Sequence, residues 1–173
     1  PEDEDLIDWY LETNANLVRE LTSAPADLDC RTFLPAPSPL AMWARRQAHE
    51  TAVHRFDAED AGGTETVFDP AFAADGIDEI LAAFAPRRSS FPIDADRSMA
   101  VRTADTHDQW LVTLTPNGIT TSREAGPADV TVTGPATALY LALWNRGDDP
   151  AVDVVGDREL LDLWHTNPRV RWS

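Results

Sequence analysis

The sequence predicts an α+β fold, with helices in the N-terminal half followed by a small domain that contains a mainly antiparallel sheet. Apolar residues recur every three to four positions in the segments before about residue 86, which is typical of helices. Between residues 97 and 133 polar and apolar residues alternate, and Asn117-Gly118 in that stretch is a strong hairpin signal. We therefore expect a helical domain over residues 1–88 and an α+β domain over residues 95–173.

Three helices are expected in the N-terminal half. The first covers residues 4–22, where the apolar residues follow helical spacing. The second begins at Ser38-Pro39, a cap followed by a proline in the first turn, and runs to about residue 59. Asp69-Pro70 repeats this start for a third helix that ends near residue 86.

The C-terminal half should contain strands and two further helices. The predicted strands lie near residues 98–104, 109–115, 118–123 and 129–133. A helix is expected after Gly134-Pro135, then a short strand over residues 152–155 and a last helix from 157 to about 164.

The composition excludes several classes of function. The formal net charge is −16, with 30 acidic against 14 basic side chains, which disfavours nucleic acid and anionic membranes as partners. All the basic residues are arginine, which excludes a P-loop lysine and Schiff-base chemistry. No apolar run reaches the roughly 20 residues of a membrane span, the first residues are acidic, and the single cysteine, Cys30, suits a reducing compartment. We expect a cytoplasmic protein.

The second helix carries the most informative residues, Glu50 and His54. With Leu40, Trp43 and Gln47 they form one stripe, and we expect Glu50 and His54 to project from it into the gap where a further helix should lie. A spacing of four residues places the two side chains one turn apart, within reach of a single metal ion.

Other interpretations of this segment stay open or fail. Most Glu and His pairs at this spacing are solvated ion pairs or core hydrogen bonds. His49 points about 100° away from Glu50 and is a poor partner for the same ion. A His-Glu-x-x-His metalloprotease motif is excluded because the interval from His49 to His54 is one residue too long. Arg46 or Gln47 beside the pair could orient a substrate.

Four segments resemble the mycothiol-dependent maleylpyruvate isomerase family of actinobacteria. They are RRQAHETAVHR at 45–55, AADGIDE at 73–79, DVTVTG at 129–134 and LALWNR at 141–146. The resemblance implies a DinB-like helical bundle, here partial, that binds a divalent metal, usually zinc. It also implies a C-terminal domain similar to sterol carrier proteins.

The resemblance assigns Glu50 and His54 as metal ligands, together with a histidine from an earlier helix. No histidine precedes His49 in this sequence, so we expect the family's first helix to lie before Pro1, and metal binding to be complete only in the full-length protein. The implied cosubstrate is mycothiol, a low-molecular-weight thiol whose thiolate adds to a small electrophilic substrate. The implied activity is therefore an isomerase or a thiol transferase.

Further candidate residues lie in the C-terminal half. Arg146 could bind a substrate carboxylate through its two-pronged guanidinium, although a helix C-terminal charge is the simpler role. His107 and His165 are expected in exposed loops. The alternative function is a non-enzymatic module that binds a small ligand or a metal, because a shared fold does not determine function.

Overall fold

The computed structural model describes residues 2–87, 91–147 and 151–166. Its α-helices are α1 (Leu6–Ser23), α2 (Pro39–Ala61), α3 (Pro70–Asp78), α4 (Ala136–Leu143) and α5 (Arg158–Thr166). Its strands are β1 (Arg97–Thr103), β2 (Gln109–Thr115), β3 (Gly118–Ser122), β4 (Val130–Gly134) and β5 (Asp153–Gly156). The predicted α+β class is confirmed.

The chain divides into two compact units, Pro1–His54 and Arg55–Ser173, so the boundary falls within α2. Sequence reasoning instead separated the halves between residues 88 and 95, where helical spacing gives way to alternation. That change does mark the start of the sheet, because every described strand begins at or after Arg97. The predicted bounds of the two domains stay a prediction.

In the first unit, the connector between α1 and α2 is held by side chains of α2 and its cap. The hydroxyl of Ser38 accepts the backbone N–H of Ala41 at 3.1 Å, as the cap-then-proline start predicts. The indole N–H of Trp43 donates to the carbonyl of Arg31 at 3.1 Å, and its ring meets Phe33 edge-on. None of the residues of α1 is buried.

In the second unit, the third predicted helix has two parts. The carboxylate of Asp69 accepts the N–H groups of Ala71 and Phe72, which caps α3. After α3 the chain continues as a π-helical segment, Glu79–Phe84, and a 3₁₀ turn, Ala85–Arg87. The carbonyl of Leu81 in the π-helical segment accepts the hydroxyl of Thr121 at 2.6 Å, so the sheet supplies a partner that an uninterrupted α-helix would not need.

The sheet has the order β3-β2-β1-β4-β5. Strands β1 and β4 are parallel, and the other neighbours are antiparallel. This arrangement confirms a mainly antiparallel sheet. The parallel pair needs a crossover, which the chain makes by passing through β2 and β3 at one edge before it returns to the centre.

The core of the second unit lies between the sheet and its helices. Alternate residues of β2 and β4 are buried, as the period of two requires. Helices α3 and α4 pack against each other, and Tyr140 of α4 meets the ring of Phe68 edge-on at 5.6 Å. The indole N–H of Trp110 in β2 donates to Asp78 at 2.9 Å and ties the end of α3 to the sheet. No helix among the described residues is long and apolar enough to cross a membrane.

Gly156 at the end of β5 is constrained by both its backbone and its surroundings. Its φ is +107°, and a Cβ there would collide with the carbonyl oxygen of Asp129. Gly63 after α2 also has positive φ, +70°, but a Cβ there would meet nothing within 4 Å.

We expect Gly156→Ala to lower the free energy of unfolding by about 3 kcal/mol or more, because it adds a collision to backbone strain. Gly63→Ala should cost only about 1 kcal/mol, the strain alone. Urea unfolding of the two variants measures the difference. Equal losses would show that the contact with Asp129 imposes no constraint.

Candidate functional site

Glu50 and His54 lie one turn apart on α2, and their side chains contact each other. Nε2 of His54 is 3.1 Å from Oε1 of Glu50. The His54 side chain is 59% exposed and that of Glu50 is 28% exposed. The pair is therefore open to solvent on the His54 side, and the spacing of four residues does bring the two groups together.

Arg46 holds the other oxygen of Glu50. Its Nη2 donates to Oε2 of Glu50 at 3.0 Å, and its side chain is only 3% exposed. The carboxylate thus lies between a buried cation and a surface imidazole. A buried guanidinium is poorly placed to orient a substrate directly, and its geometry supports the role of orienting Glu50.

The donor atoms of Glu50 and His54 fit two positions around one divalent ion. Two ligands bound at about 2.0–2.1 Å in tetrahedral geometry lie about 3.3 Å from each other. The separation of 3.1 Å between Nε2 and Oε1 is close to this value. In the part of the chain that the structure describes, no group of three or more His, Cys, Asp and Glu side chains is arranged to hold a metal. The pair would supply two ligands, and its metal role stays a prediction.

The buried face of α2 differs from the one that sequence reasoning selected. It is formed by Met42, Arg46, His49 and Val53. The stripe from Leu40 to His54 is only partly buried, with Glu50 28% and His54 59% exposed. The expectation that these two side chains face the gap for a further helix stays a prediction. The spacing of apolar residues does not reveal this buried face, because two of its four residues are an arginine and a histidine. His49, 1% exposed, belongs to this buried face.

Arg146 follows the C-terminus of α4 and pairs with Asp57 of α2. Its Nε and Nη2 donate to the two carboxylate oxygens of Asp57 at 3.0 and 3.2 Å. Its Nη1 donates to the carbonyl of Trp144 at 2.8 Å. The simpler predicted role, a charge at a helix C-terminus, thus describes one of its contacts. The bidentate pair with Asp57 is an additional feature.

The backbone at this helix end is set by residues of left-handed conformation. Asn145 has φ +59° and Gly147 has φ +67°. The N–H of Arg146 donates back to the carbonyl of Leu141 at 2.8 Å, which ends α4 in a Schellman-type turn. The turn directs the Arg146 side chain to Asp57.

His165 lies in the last turn of α5, so its predicted loop position was wrong, whereas His107 is exposed in the turn between β1 and β2, as expected. Nδ1 of His165 is 2.7 Å from Oδ1 of Asn145. An amide oxygen only accepts, so Nδ1 carries the proton. Burial lowers the pKa of His165, and the nearby carboxylate of Asp162 opposes this shift.

Sequence reasoning missed Asp57, Asn145 and His165 as members of one cluster around Arg146. Asp57 and Arg146 are separated by 89 positions, and His165 and Asn145 by 20. No local spacing could reveal these contacts, because they depend on how α2, α4 and α5 pack.

Two protein-family models match the chain. The mycothiol maleylpyruvate isomerase N-terminal domain matches residues 1–59, and the MDMPI C-terminal domain matches residues 71–163. The chain belongs to the mycothiol maleylpyruvate isomerase family. The resemblance inferred from the sequence is confirmed, with Glu50 and His54 in the first match and Arg146 in the second.

Several solved structures are similar to parts of this family member at low identity. The sec-alkylsulfatase Pisa1 from Pseudomonas sp. is 21% identical over 44% of the chain, with a TM-score of 0.38, and the chain covers 14% of that protein. The UbiJ-SCP2 ubiquinone synthesis protein is 16% identical, with a TM-score of 0.40. The match covers 57% of this chain and 94% of that protein. Sterol carrier protein 2 like 2 from Aedes aegypti is 18% identical, with a TM-score of 0.30. The match covers 73% of this chain and 98% of that protein. No curated protein matches the chain.

We expect His165 to make stability depend on pH. In the unfolded chain its pKa is the ordinary value of about 6.5, so near and below that pH the unfolded state binds more protons than the folded state. The contribution of neutral, buried His165 to the free energy of unfolding is therefore complete above its unfolded pKa. It is lost as pH falls through its lowered folded pKa. Urea unfolding at about pH 7.5 and 5.5 should show a loss that His165→Gln reduces. His107→Asn, which removes an exposed imidazole, should keep the wild-type loss. An unchanged loss in His165→Gln would contradict this role.

Proposed function

We propose that the protein is a metal-dependent isomerase or S-transferase that uses mycothiol, or a thiol of that type, on a small electrophilic substrate. The observation that carries the proposal is the Glu50–His54 pair, whose donor atoms have the separation expected of two ligands on one ion. This pair lies within the segment that matches the N-terminal domain of the family. We place the reaction in the cytoplasm, where low-molecular-weight thiols stay reduced.

A divalent ion, zinc in our proposal, would supply the positive charge that converts a thiol to a nucleophilic thiolate. Glu50 and His54 would hold this ion in the full-length protein. Arg46 orients Glu50 through the hydrogen bond to Oε2, because a fixed carboxylate binds an ion better than one that must be ordered first.

Arg146 binds a carboxylate of the substrate. Asp57 and the Trp144 carbonyl accept three of its N–H hydrogens, while a guanidinium offers five. Among the described residues no other acceptor takes the remaining two donors, and the side chain is 31% exposed. A second anion could therefore bind without displacing Asp57.

The alternative function is a non-enzymatic module that binds a small ligand or a metal. One observation favours it: Glu50 and His54 already satisfy each other by a hydrogen bond, and Arg46 satisfies the remaining oxygen. A structural pair needs no ion. Metal content and thiol consumption separate the two functions.

His54→Ala should reduce zinc from about one ion per chain to near zero in the full-length protein, because it removes a ligand, and should abolish thiol consumption with an electrophile. Metal analysis after zinc loading and dialysis measures the first effect, and a colorimetric thiol assay measures the second.

His107→Asn is the matched control, since it removes an exposed imidazole from a position of positive φ that asparagine tolerates. His49→Ala is a poor control, because His49 is buried and its loss would leave a cavity. Full zinc occupancy in His54→Ala would make the ligand assignment wrong and favour the binding module.

A further inference from the structure

We propose that Asp57 is a positioning residue that orients Arg146 for a substrate carboxylate. The inference rests on the proposed function, in which Arg146 binds that carboxylate. It adds a residue that does not touch the substrate itself and that determines which edge of the guanidinium the substrate meets.

The geometry of the ion pair defines the edge that is left. The two carboxylate oxygens of Asp57 accept hydrogen bonds from Nε and Nη2 of Arg146, one oxygen for each nitrogen. The Trp144 carbonyl takes one hydrogen of Nη1. Among the contacts of the described residues, one hydrogen on Nη1 and one on Nη2 remain to donate to a second carboxylate.

The exposure of the pair suits a binding role. The side chains of Arg146 and Asp57 are 31% and 37% exposed, so solvent and a small anion can reach them. The backbone around Arg146 is fixed at the same time, because the Schellman-type turn and the Asn145–His165 contact hold the residues beside it. A long side chain on a fixed backbone still has several rotatable bonds, and the two bonds to Asp57 remove that freedom before a ligand arrives.

Electrostatics and positioning predict opposite effects of removing the Asp57 charge. A carboxylate beside Arg146 repels an incoming anion, so charge alone would make Asp57→Asn bind anions more tightly. Positioning predicts weaker binding, because asparagine replaces one of the two acceptor oxygens with an NH2 donor, so one of the two hydrogen bonds is lost and the guanidinium becomes freer to turn. The sign of the change therefore distinguishes the two roles.

The test uses maleate, a dicarboxylate, as the probe, with binding to the full chain measured by calorimetry. Asp57→Asn should weaken maleate binding about tenfold, the loss typical when a hydrogen bond to a charged group is no longer preorganised. Asp57→Glu, which keeps the carboxylate, should restore most of the affinity. In an Arg146→Lys background, Asp57→Asn should not change maleate affinity further, because the guanidinium that Asp57 orients is absent.

Two readouts separate positioning from a structural role. The Nε–H resonance of Arg146 in a ¹H–¹⁵N spectrum, identified by its absence in Arg146→Lys, should shift in Asp57→Asn, whereas melting temperatures should stay close to wild type. Asp108→Asn is the matched control. It breaks a 3.0 Å ion pair with Arg123 whose carboxylate is 35% exposed, and it should leave maleate binding unchanged.

The possible failures are distinguishable. Unchanged or tighter maleate binding in Asp57→Asn, with binding lost in Arg146→Lys, would overturn the positioning role and leave the carboxylate role of Arg146 in place. Equal maleate binding by wild type and Arg146→Lys would overturn the carboxylate role of Arg146, and the positioning role with it.

Discussion

The bidentate ion pair between Arg146 and Asp57 is the contact that connects α2 to the end of α4. It joins the last turns of α2 to the residues that follow α4, at 3.0 and 3.2 Å. Beside it, the indole N–H of Trp164 donates to the Leu143 carbonyl and His165 contacts Asn145, so α5 is tied to the same helix end. Three elements far apart in sequence thus meet at one turn of left-handed residues.

A second group of charges is organised by another arginine, at the start of β1. Arg97 of β1 bridges Asp129, which precedes β4, and Asp157, which precedes α5. Hydrogen bonds from Ser98 lower the pKa of Asp129, and the contact with Arg97 lowers the pKa of Asp157. In a chain with 30 acidic and 14 basic side chains, arginine's forked guanidinium lets one cation serve two carboxylates. Arg97 thus offsets part of the charge of the two carboxylates beside it, and the net charge of −16 comes from the excess of acidic side chains in the sequence.

The proposed metal pair shows how a helix prepares ligands at modest cost. Glu50 is held by Arg46 from one side and meets His54 on the other, so its carboxylate is oriented without any ion. A site of this kind gains affinity because less ordering accompanies binding. These contacts also make the pair stable without an ion, as the alternative function requires.

The sequence by itself determined the helices and strands, the α+β class, the family and the neighbouring positions of Glu50 and His54. These follow from local rules: Asp69 caps α3 because its carboxylate reaches N–H groups two and three residues on, and residues four apart on a helix always lie one turn apart. Tertiary structure decided the buried face of α2, which includes Arg46 and His49, and the π-helical continuation of α3. It also decided that Arg146 meets Asp57 and that His165 meets Asn145. These outcomes depend on partners tens of residues away, and hydrophobic periodicity cannot indicate that a buried polar group has found one.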